Sequence, residues 1–304
     1  MQRKLLFTII FIFINTLCAL GQNDSIRFFN ANWEITALGK GAQSMYAQMH
    51  MFNSTQSISI IKYPAKRFKS QILHKPGKEA DKLSYIGKET ESRIAVNGGF
   101  FHIKEKYPSV YLRLGEEILS HTHPTEVYRV NGVVGFKDRK GKKIRIAYCD
   151  TTQYEQVAEK WYTVMASGPL LVANGEIIVP EIMDTTTGTD IEDIKDESKK
   201  IRTFYSTSQF YNKRHPRTVI GYDNKGYIYY VVIDGRFNEM AAGATIYEAA
   251  YICHLLSLTY AINLDGGGSA TLWSAQTGVL NHPYDNKKFD HDGERVIPNL
   301  IVAY

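Results

Sequence analysis

The chain has 304 residues, of which 44% are apolar and 22% are charged, with 36 basic and 31 acidic side chains. This composition is typical of a globular protein and excludes collagen, coiled coil and disordered classes. The formal net charge of +5 is small for this length. Because no dense block of lysine and arginine is present, we expect no nucleic-acid partner.

The first 21 residues have the pattern of a secretory signal peptide. Arg3 and Lys4 precede the apolar stretch Leu5 to Ile14, which is much shorter than the ~20 residues that a membrane-spanning helix needs. Small residues at 19 and 21 suit cleavage before Gln22. We therefore expect a secreted or periplasmic protein with no integral membrane segment after cleavage. A lipid anchor at Cys18 is the less favoured alternative.

The mature chain divides into a segment of unknown role, residues 22–55, and one domain that spans residues 56–304. Most of the domain has the short apolar or alternating pattern of β-strands. The acidic segment Glu181 to Arg202 has little apolar periodicity, which predicts either a solvated insertion loop or a lid over a pocket. The strands predicted before that segment are Gln56 to Tyr63, Arg93 to Val96, Val127 to Phe136, Lys143 to Tyr148 and Tyr162 to Val172.

A strand, helix, strand pattern follows the acidic segment. Thr218 to Tyr222 and Tyr227 to Ile233 are apolar runs joined by a turn, which predicts a hairpin. Thr245 to Thr259 has helical spacing, and Ala261 to Leu264 is another strand. We predict an α+β fold with few helices, a mixed β-sheet core, and a βαβ crossover over about residues 227–265.

The crossover brings acidic groups to one edge of the sheet. Asp234 and Asp265 each follow the carboxyl end of a strand, and the helix between them begins at the same edge. Paired carboxylates serve glycoside cleavage or bind a hard cation such as Ca²⁺. Gly266, Gly267 and Gly268 let the main chain approach a ligand closely. We expect no cofactor and no metal, with Ca²⁺ between the carboxylates as the alternative.

Seven short motifs extend this pattern along the chain. They are Asn97-Gly98-Gly99-Phe100-Phe101, Ser167-Gly168-Pro169-Leu170, His215-Pro216-Arg217-Thr218, Asp234-Gly235-Arg236, Thr245-Ile246-Tyr247-Glu248, Asn263-Leu264-Asp265-Gly266-Gly267-Gly268-Ser269 and Glu294-Arg295-Val296-Ile297-Pro298-Asn299. In this order the motifs resemble the phosphodiester glycosidase family. The resemblance spans roughly residues 56–304.

The resemblance implies an enzyme that hydrolyses the bond between an anomeric carbon and a phosphodiester in a glycan. A phosphate leaves as a stable anion and needs little help from a general acid, so arginines matter more. Asp234 and Asp265 are then the candidates for nucleophile or water-activating base. Glu248 is a further catalytic candidate, although Thr245 three residues earlier predicts a capping box. The predicted substrate-binding residues are Asn97, Gly98, Gly99, His215, Arg217, Arg236, Gly266, Gly267, Gly268, Ser269 and Arg295.

Two other functions fit the same residues. An ordinary glycoside hydrolase would need a proton donor, for which Glu248 and Glu294 are the nearest candidates. A surface protein could instead grip an anionic glycan without cleaving it. Cys149 and Cys253 remain in the mature chain, and the sequence leaves open whether they pair.

Overall fold

The computed structural model describes residues 23–149, 153–183 and 206–304. The predicted signal peptide, Cys18 and most of the acidic segment Glu181 to Arg202 lie outside the described residues. Within the described ranges, no helix is both long and apolar enough to cross a membrane.

The described residues form many short strands and few helices, which confirms the α+β class. The helices are α1 (23–29), α2 (Leu83–Glu89), α3 (Tyr154–Ala158), α4 (206–212) and α5 (Ile246–Leu255). The strands are β1 (Glu34–Gly39), β2 (Ala42–Met51), β3 (Ser54–Pro64), β4 (Ser70–His74), β5 (Asp81–Lys82), β6 (Ile94–Asn97), β7 (Phe101–His102), β8 (Tyr107–Pro108), β9 (Leu112–Leu114), β10 (Glu117–Ser120), β11 (Gly132–Phe136), β12 (Ile144–Tyr148), β13 (Thr163–Ser167), β14 (Leu170–Ala173), β15 (Glu176–Ile177), β16 (Arg217–Tyr222), β17 (Tyr227–Ile233), β18 (Tyr260–Asn263), β19 (Leu272–Ser274), β20 (Gly278–Val279), β21 (Val296–Ile297) and β22 (Asn299–Ala303).

The largest sheet has eight strands in the order β1-β2-β3-β17-β16-β18-β14-β15. Strand β16 is antiparallel to both β17 and β18 and lies between them, so β17 and β18 point in the same direction without pairing. Helix α5 connects these two strands. All strand pairs within the described ranges are antiparallel, so the mixed sheet expected from the sequence is not found there. The two parallel strands joined by the helix do not pair because β16 lies between them.

The two faces of the large sheet are covered by different layers. Alternate side chains of β16 and β17, such as Val219 and Val231, pack with α5. Their neighbours Ile220 and Val232 face a core shared with two five-stranded sheets, β10-β9-β13-β11-β12 and β20-β19-β6-β22-β4. Because β16 and β17 are buried on both faces, they read as continuous apolar runs rather than alternating ones.

The segment before residue 56 continues the large sheet. Strand β2 pairs along its length with β3, which pairs in turn with β17. Phe28 of α1 is buried in the same cluster as α5, with its ring 5.3 Å from the ring of Trp33. Residues 23–55 therefore contribute a helix and two strands to the body that carries the predicted domain.

The hairpin predicted around residues 223–226 is confirmed, because β16 and β17 pair antiparallel across that turn. Two other strand predictions need correction. The run Tyr162 to Val172 divides at Gly168 into β13 and β14, which belong to different sheets. The run Val127 to Phe136 begins in a 3₁₀ helix, Pro124–Arg129, and becomes strand only at Gly132. Cys149 and Cys253 remain thiols, buried in separate hydrophobic clusters.

Candidate active site

A cleft of about 500 Å³ lies at one edge of the large sheet. The first residue of β16, Arg217, pairs with the last residue of β17, Ile233, and β18 ends opposite Val219. The segments that follow β17 and β18 therefore meet the start of β16. The cleft is lined by Phe100, Phe101, Ile103, Tyr128, Arg129, Ser206, Gln209, Phe210, His215, Pro216, Arg217, Arg236, Asp265, Gly266, Gly267, Gly268 and Arg295.

Among the described lining residues, Asp265 contributes the one carboxylate. Its backbone N–H donates to the carbonyl of Gly98 at 3.1 Å, and its carbonyl accepts from Nδ2 of Asn97 at 2.6 Å. Burial raises the pKa of Asp265, while Arg129, the Ser269 hydroxyl and Arg295 oppose the rise. The main chain of Asp265 is thus fixed on both sides, and its carboxyl group has an increased affinity for a proton.

Asn97 lies under Asp265 and does not line the cleft. Its Oδ1 accepts hydrogen bonds from the Thr218 hydroxyl at 2.8 Å and from the backbone N–H of Thr271 at 3.1 Å. Only 1% of Asn97 is exposed to solvent. Its amide is therefore engaged in holding the Asp265 main chain. Gly98, Gly99 and Ser269 also lie outside the cleft lining.

The glycine run after Asp265 is required by close approach of other groups. A Cβ on Gly266 would lie 2.4 Å from the carbonyl oxygen of Pro216, and one on Gly268 would lie 2.2 Å from Nη2 of Arg295. Gly267 has a φ of +59°, in the left-handed region. The three glycines therefore allow the main chain to pass directly beside the arginines of the cleft.

Four arginines line the described part of the cleft, and two of them are paired with carboxylates. Nε of Arg295 donates to Oδ1 of Asp285 at 2.9 Å, and Nε of Arg129 donates to Oε2 of Glu126 at 2.6 Å. Each pair is formally neutral, yet each arginine retains further N–H donors. Both guanidinium groups are thereby held in defined places at the cleft.

The other two arginines have neutral partners. Arg217 is 2% exposed, and its guanidinium donates to the carbonyls of Ala244 at 2.8 Å, Phe210 at 2.6 Å and Lys213 at 3.0 Å. Burial and repulsion by Arg236 lower the pKa of Arg217 to about 9. The partner of Arg236 is His215, whose Nδ1 lies 3.2 Å from Nη2 of the arginine.

Sequence reasoning missed Arg129. It lies at the end of the 3₁₀ helix, where its guanidinium is 3.9 Å from the ring centre of Phe100 and 5.6 Å from that of Phe210. These distances are typical of cation–π contacts. The only local signal is the Glu126-x-x-Arg129 spacing, which is common in solvated helices and indicates no site by itself.

Asp234 is placed differently from the sequence expectation. It does not line the cleft, and its exposed fraction is 1%. Its Oδ1 accepts from Asn281 Nδ2 and from the backbone N–H of His282, both at 3.0 Å. Its Oδ2 accepts from the Ser57 hydroxyl at 2.7 Å and from His282 Nδ1 at 3.0 Å. The carboxylate is saturated by donors contributed by segments remote in sequence.

Glu248 also lies outside the cleft lining. It forms the predicted capping box, with its Oε2 accepting from the Thr245 N–H at 2.9 Å and its own N–H donating to the Thr245 hydroxyl at 3.1 Å. Its carboxylate also pairs with Arg214 at 2.6 Å. Glu294 accepts hydrogen bonds from the N–H and hydroxyl of Ser84. Both glutamates are engaged by structural partners.

The described residues contain no group of three or more His, Cys, Asp or Glu side chains placed to hold a metal ion. The two aspartates also fail as a Ca²⁺ pair. Both oxygens of Asp234 accept hydrogen bonds from N–H or O–H groups, and the positive hydrogens of these donors would repel a cation placed there.

The predicted residues divide into two groups. The structure brings His215, Arg217, Arg236, Asp265, Gly266, Gly267, Gly268 and Arg295 together at the cleft. It places Asn97, Gly98, Gly99, Asp234, Glu248 and Ser269 outside the lining.

Sequence comparisons with known proteins all point to the same family. A family model described as phosphodiester glycosidase matches residues 90–304. N-acetylglucosamine-1-phosphodiester alpha-N-acetylglucosaminidase of Homo sapiens is 27% identical over 206 residues, which cover 66% of this chain and 34% of the human protein. The Mus musculus protein of the same name is 26% identical over 202 residues, with the same two coverages. The chain thus spans about a third of the length of these relatives.

Solved structures share the fold. The catalytic domain of zebrafish N-acetylglucosamine-1-phosphodiester alpha-N-acetylglucosaminidase, described as auto-inhibited by its pro-peptide, superposes with a TM-score of 0.62 at 18% identity, covering 90% of this chain and 88% of that chain. A hypothetical protein from Synechocystis gives a TM-score of 0.62 at 13% identity, covering 89% of this chain and 63% of its own. At such identities these matches show the fold alone.

Proposed function

Because this chain belongs to the phosphodiester glycosidase family, we propose that it hydrolyses the bond between the anomeric carbon of a sugar and a phosphodiester. The products are a free sugar and a phosphomonoester. The substrate class is a phosphoglycan from whose end a sugar is removed.

The observation that carries this proposal is the charge of the cleft lining. Four arginines and one carboxylate, Asp265, line it among the described residues. Arginine presents a permanent charge and a fork of N–H donors that matches phosphate oxygens. The volume of about 500 Å³ lies within the range of small-ligand sites, which favours a terminal sugar and its phosphate as the bound unit.

Asp265 is the catalytic carboxylate in this proposal. Its raised pKa suits a base that takes a proton from water as the water attacks the anomeric carbon. The phosphate departs with the bonding electrons of the C–O bond, and arginines stabilise the negative charge that develops on it. The departing group is a stable anion, so no protonated side chain needs to assist it.

The same lining argues against an ordinary glycosidase. Cleavage of an alkyl glycoside commonly uses two carboxyl groups, one of which protonates the leaving oxygen. Asp265 is the carboxyl group in the described lining, while Glu248 and Glu294 are held by Arg214 and Ser84. The described cleft thus lacks the proton donor that the alternative requires.

Secretion belongs to the proposal too, and it is supported by Arg3, Lys4 and the apolar stretch after them.

A substrate panel tests the proposed function. The purified protein is incubated with sugar-1-phosphodiesters of several sugars and with matched aryl glycosides, and the products are identified by mass spectrometry. We expect a free sugar and a phosphomonoester from at least one phosphodiester, no cleavage of the aryl glycosides, and unchanged rates in EDTA. Cleavage of aryl glycosides alone, or folded protein that cleaves no phosphodiester, would overturn the proposal.

A further inference from the structure

Among the four arginines in the described lining of the cleft, Arg236 is the one with neither a carboxylate partner nor a set of carbonyl acceptors, so its guanidinium is available to a ligand. Arg129 and Arg295 are paired with carboxylates, and Arg217 is bound to three carbonyls. Arg236 forms no ion pair with any carboxylate among the described residues. It is exposed at the cleft, and its guanidinium lies beside Gly267.

The contacts of His215 define the protonation state of its ring. Nε2 lies 3.1 Å from the carbonyl oxygen of Gln209, which can only accept, so Nε2 carries the proton. Nδ1 lies 3.2 Å from Nη2 of Arg236, which can only donate, so Nδ1 carries a lone pair. Both contacts are satisfied by the neutral ring with its proton on Nε2.

The surroundings of His215 favour that neutral form. Burial is the main effect that lowers the pKa of His215 to about 4, with repulsion by Arg217 and Arg236 adding to it. A charged imidazole would place a proton on Nδ1, directly against the guanidinium. The ring therefore serves as a hydrogen-bond acceptor rather than as a general acid.

We propose that His215 is a positioning residue that uses Nδ1 as an acceptor to aim the Arg236 guanidinium at a phosphate group in the cleft. The assignment of that anion rests on the proposed function. The sequence suggested that His215 contacts the substrate directly. In this proposal His215 instead acts through Arg236.

The backbone around the pair is built to hold this arrangement. Arg236 has a φ of +71°, which non-glycine residues rarely adopt. A Cβ on Gly235 would lie 2.8 Å from the nitrogen of Pro216, and one on Gly243 would lie 2.7 Å from the carbonyl oxygen of His215. The turn after β17 thus packs closely against His215. This packing restricts the main chain of Arg236, so the arginine can adjust only through its side-chain torsions.

Two substitutions separate the nitrogens of His215. In His215→Asn the side-chain oxygen can occupy the place of Nδ1 and accept from Arg236, while the donor to Gln209 is lost. In His215→Gln the amide nitrogen can occupy the place of Nε2 and donate to Gln209, while the acceptor for Arg236 is lost. The pair therefore tests the acceptor with the same amide group placed at two different reaches.

The experiment measures binding of inorganic phosphate to the full-length protein by titration calorimetry. We expect His215→Gln to weaken binding about tenfold, equivalent to about 1.4 kcal/mol, and His215→Asn to weaken it by less than about threefold, since one charge-assisted contact is retained. In an Arg236→Ala background, His215→Gln should have no further effect. Thermal unfolding midpoints verify that the variants are folded.

Equal weakening by both substitutions, or a further loss in the Arg236→Ala background, would show a structural role and overturn the inference, as would wild-type protein that binds no phosphate. The outcome is separable from the proposed function. If the phosphate pattern appears but no phosphodiester is cleaved, the positioning role stands and the proposed function fails.

Discussion

Asp234 and Asp265 show how surroundings give one residue type two roles. Each follows a strand at the same edge of the large sheet. Asp234 accepts from Ser57, Asn281 and His282, so its lone pairs are occupied. Asp265 lines the cleft, and burial raises its pKa. A saturated carboxylate suits structure, whereas a poorly solvated one beside arginines suits proton transfer.

We expect Asp265→Asn to lower kcat by about a thousandfold, within the range of about 10² to 10⁴ for loss of a general base. The amide keeps the shape of the side chain and cannot take a proton from water. The measurement is steady-state turnover of whichever phosphodiester the panel identifies. Asp81→Asn, at an exposed position away from the cleft lining, is the matched control. Retention of more than a tenth of the wild-type kcat in Asp265→Asn would exclude the catalytic role.

The same substitution has a consequence for stability. The folded-state pKa of Asp265 is raised above 3.8, so between the unfolded and folded pKa values the folded protein binds more protons than the unfolded chain. The free energy of unfolding therefore falls as pH rises through this window. Asparagine removes the effect, so Asp265→Asn should be more stable than wild type at pH 7, with a smaller difference toward pH 4 in urea titrations.

At the scale of elements, the turn after β18 determines how the cleft is built. Its glycines accommodate Pro216, which directly precedes β16, and Arg295 from the segment before β21. A side chain at Gly266 would meet the Pro216 carbonyl, and one at Gly268 would displace the ends of the Arg295 and Asp285 side chains. The turn thus sets the distance between the main chain and two groups that face the ligand.

Gly268→Ala tests this requirement. The added methyl would lie 2.2 Å from Nη2 of Arg295 and 2.5 Å from Oδ1 of Asp285, so the pair must move. Because a misplacement of about 1 Å can cost about a hundredfold in rate, we expect kcat/KM to fall by about that factor. Gly175→Ala is the comparison, since its methyl meets nothing within 4 Å and it lies outside the cleft lining, so the backbone strain from its φ of +86° should lower stability and leave kcat/KM unchanged. Equal kcat/KM in Gly268→Ala and wild type would show that catalysis does not require the close fit between Gly268 and the Arg295–Asp285 pair.

Local pattern predicts some elements well. The hairpin of β16 and β17 follows from two apolar runs around a turn, and the start of α5 follows from the Thr245 and Glu248 spacing. The end of α5 differs from the predicted limit at Thr259, because Ser257 adopts a φ of +56° and ends the helix without a glycine.

Long-range packing limits what the sequence predicts. The partners of Asp234 come from residues 57, 281 and 282, and no local spacing reveals that they will meet. Arg129 enters the cleft from a 3₁₀ helix that belongs to the connection between two strands. Both outcomes depend on tertiary contacts, so the sequence identified Asp265 and the glycines but could not rank the two aspartates.

At the scale of the whole molecule, Asp234 links separate parts of the chain. Its backbone N–H donates to the Ser57 carbonyl at 2.9 Å, and its side chain binds the segment that begins at Asn281. That segment includes Asp285, which holds Arg295 at the cleft. The large sheet and the segment that positions an arginine therefore depend on one buried carboxylate.

We expect Asp234→Ala to lower the free energy of unfolding by about 3 kcal/mol, because it leaves several buried donors without an acceptor. Asp234→Asn should cost much less, since the Ser57 hydroxyl and the His282 imidazole can reverse their hydrogen bonds toward an amide. Urea unfolding of both variants gives the comparison. An unchanged midpoint for the alanine variant would refute the structural role of this carboxylate.

The pairing of β3 with β17 bears on how this protein could be shortened or fused. A fragment starting at residue 90, where the match to the family model begins, would lack β3, the neighbour of β17, and would leave the N–H and C=O groups on that side of β17 unpaired. An unprotected edge strand is a template for association with other chains. The segment matched by the family model is therefore narrower than the set of strands that pair in the large sheet, and tags or truncations are safer outside the first strands than within them.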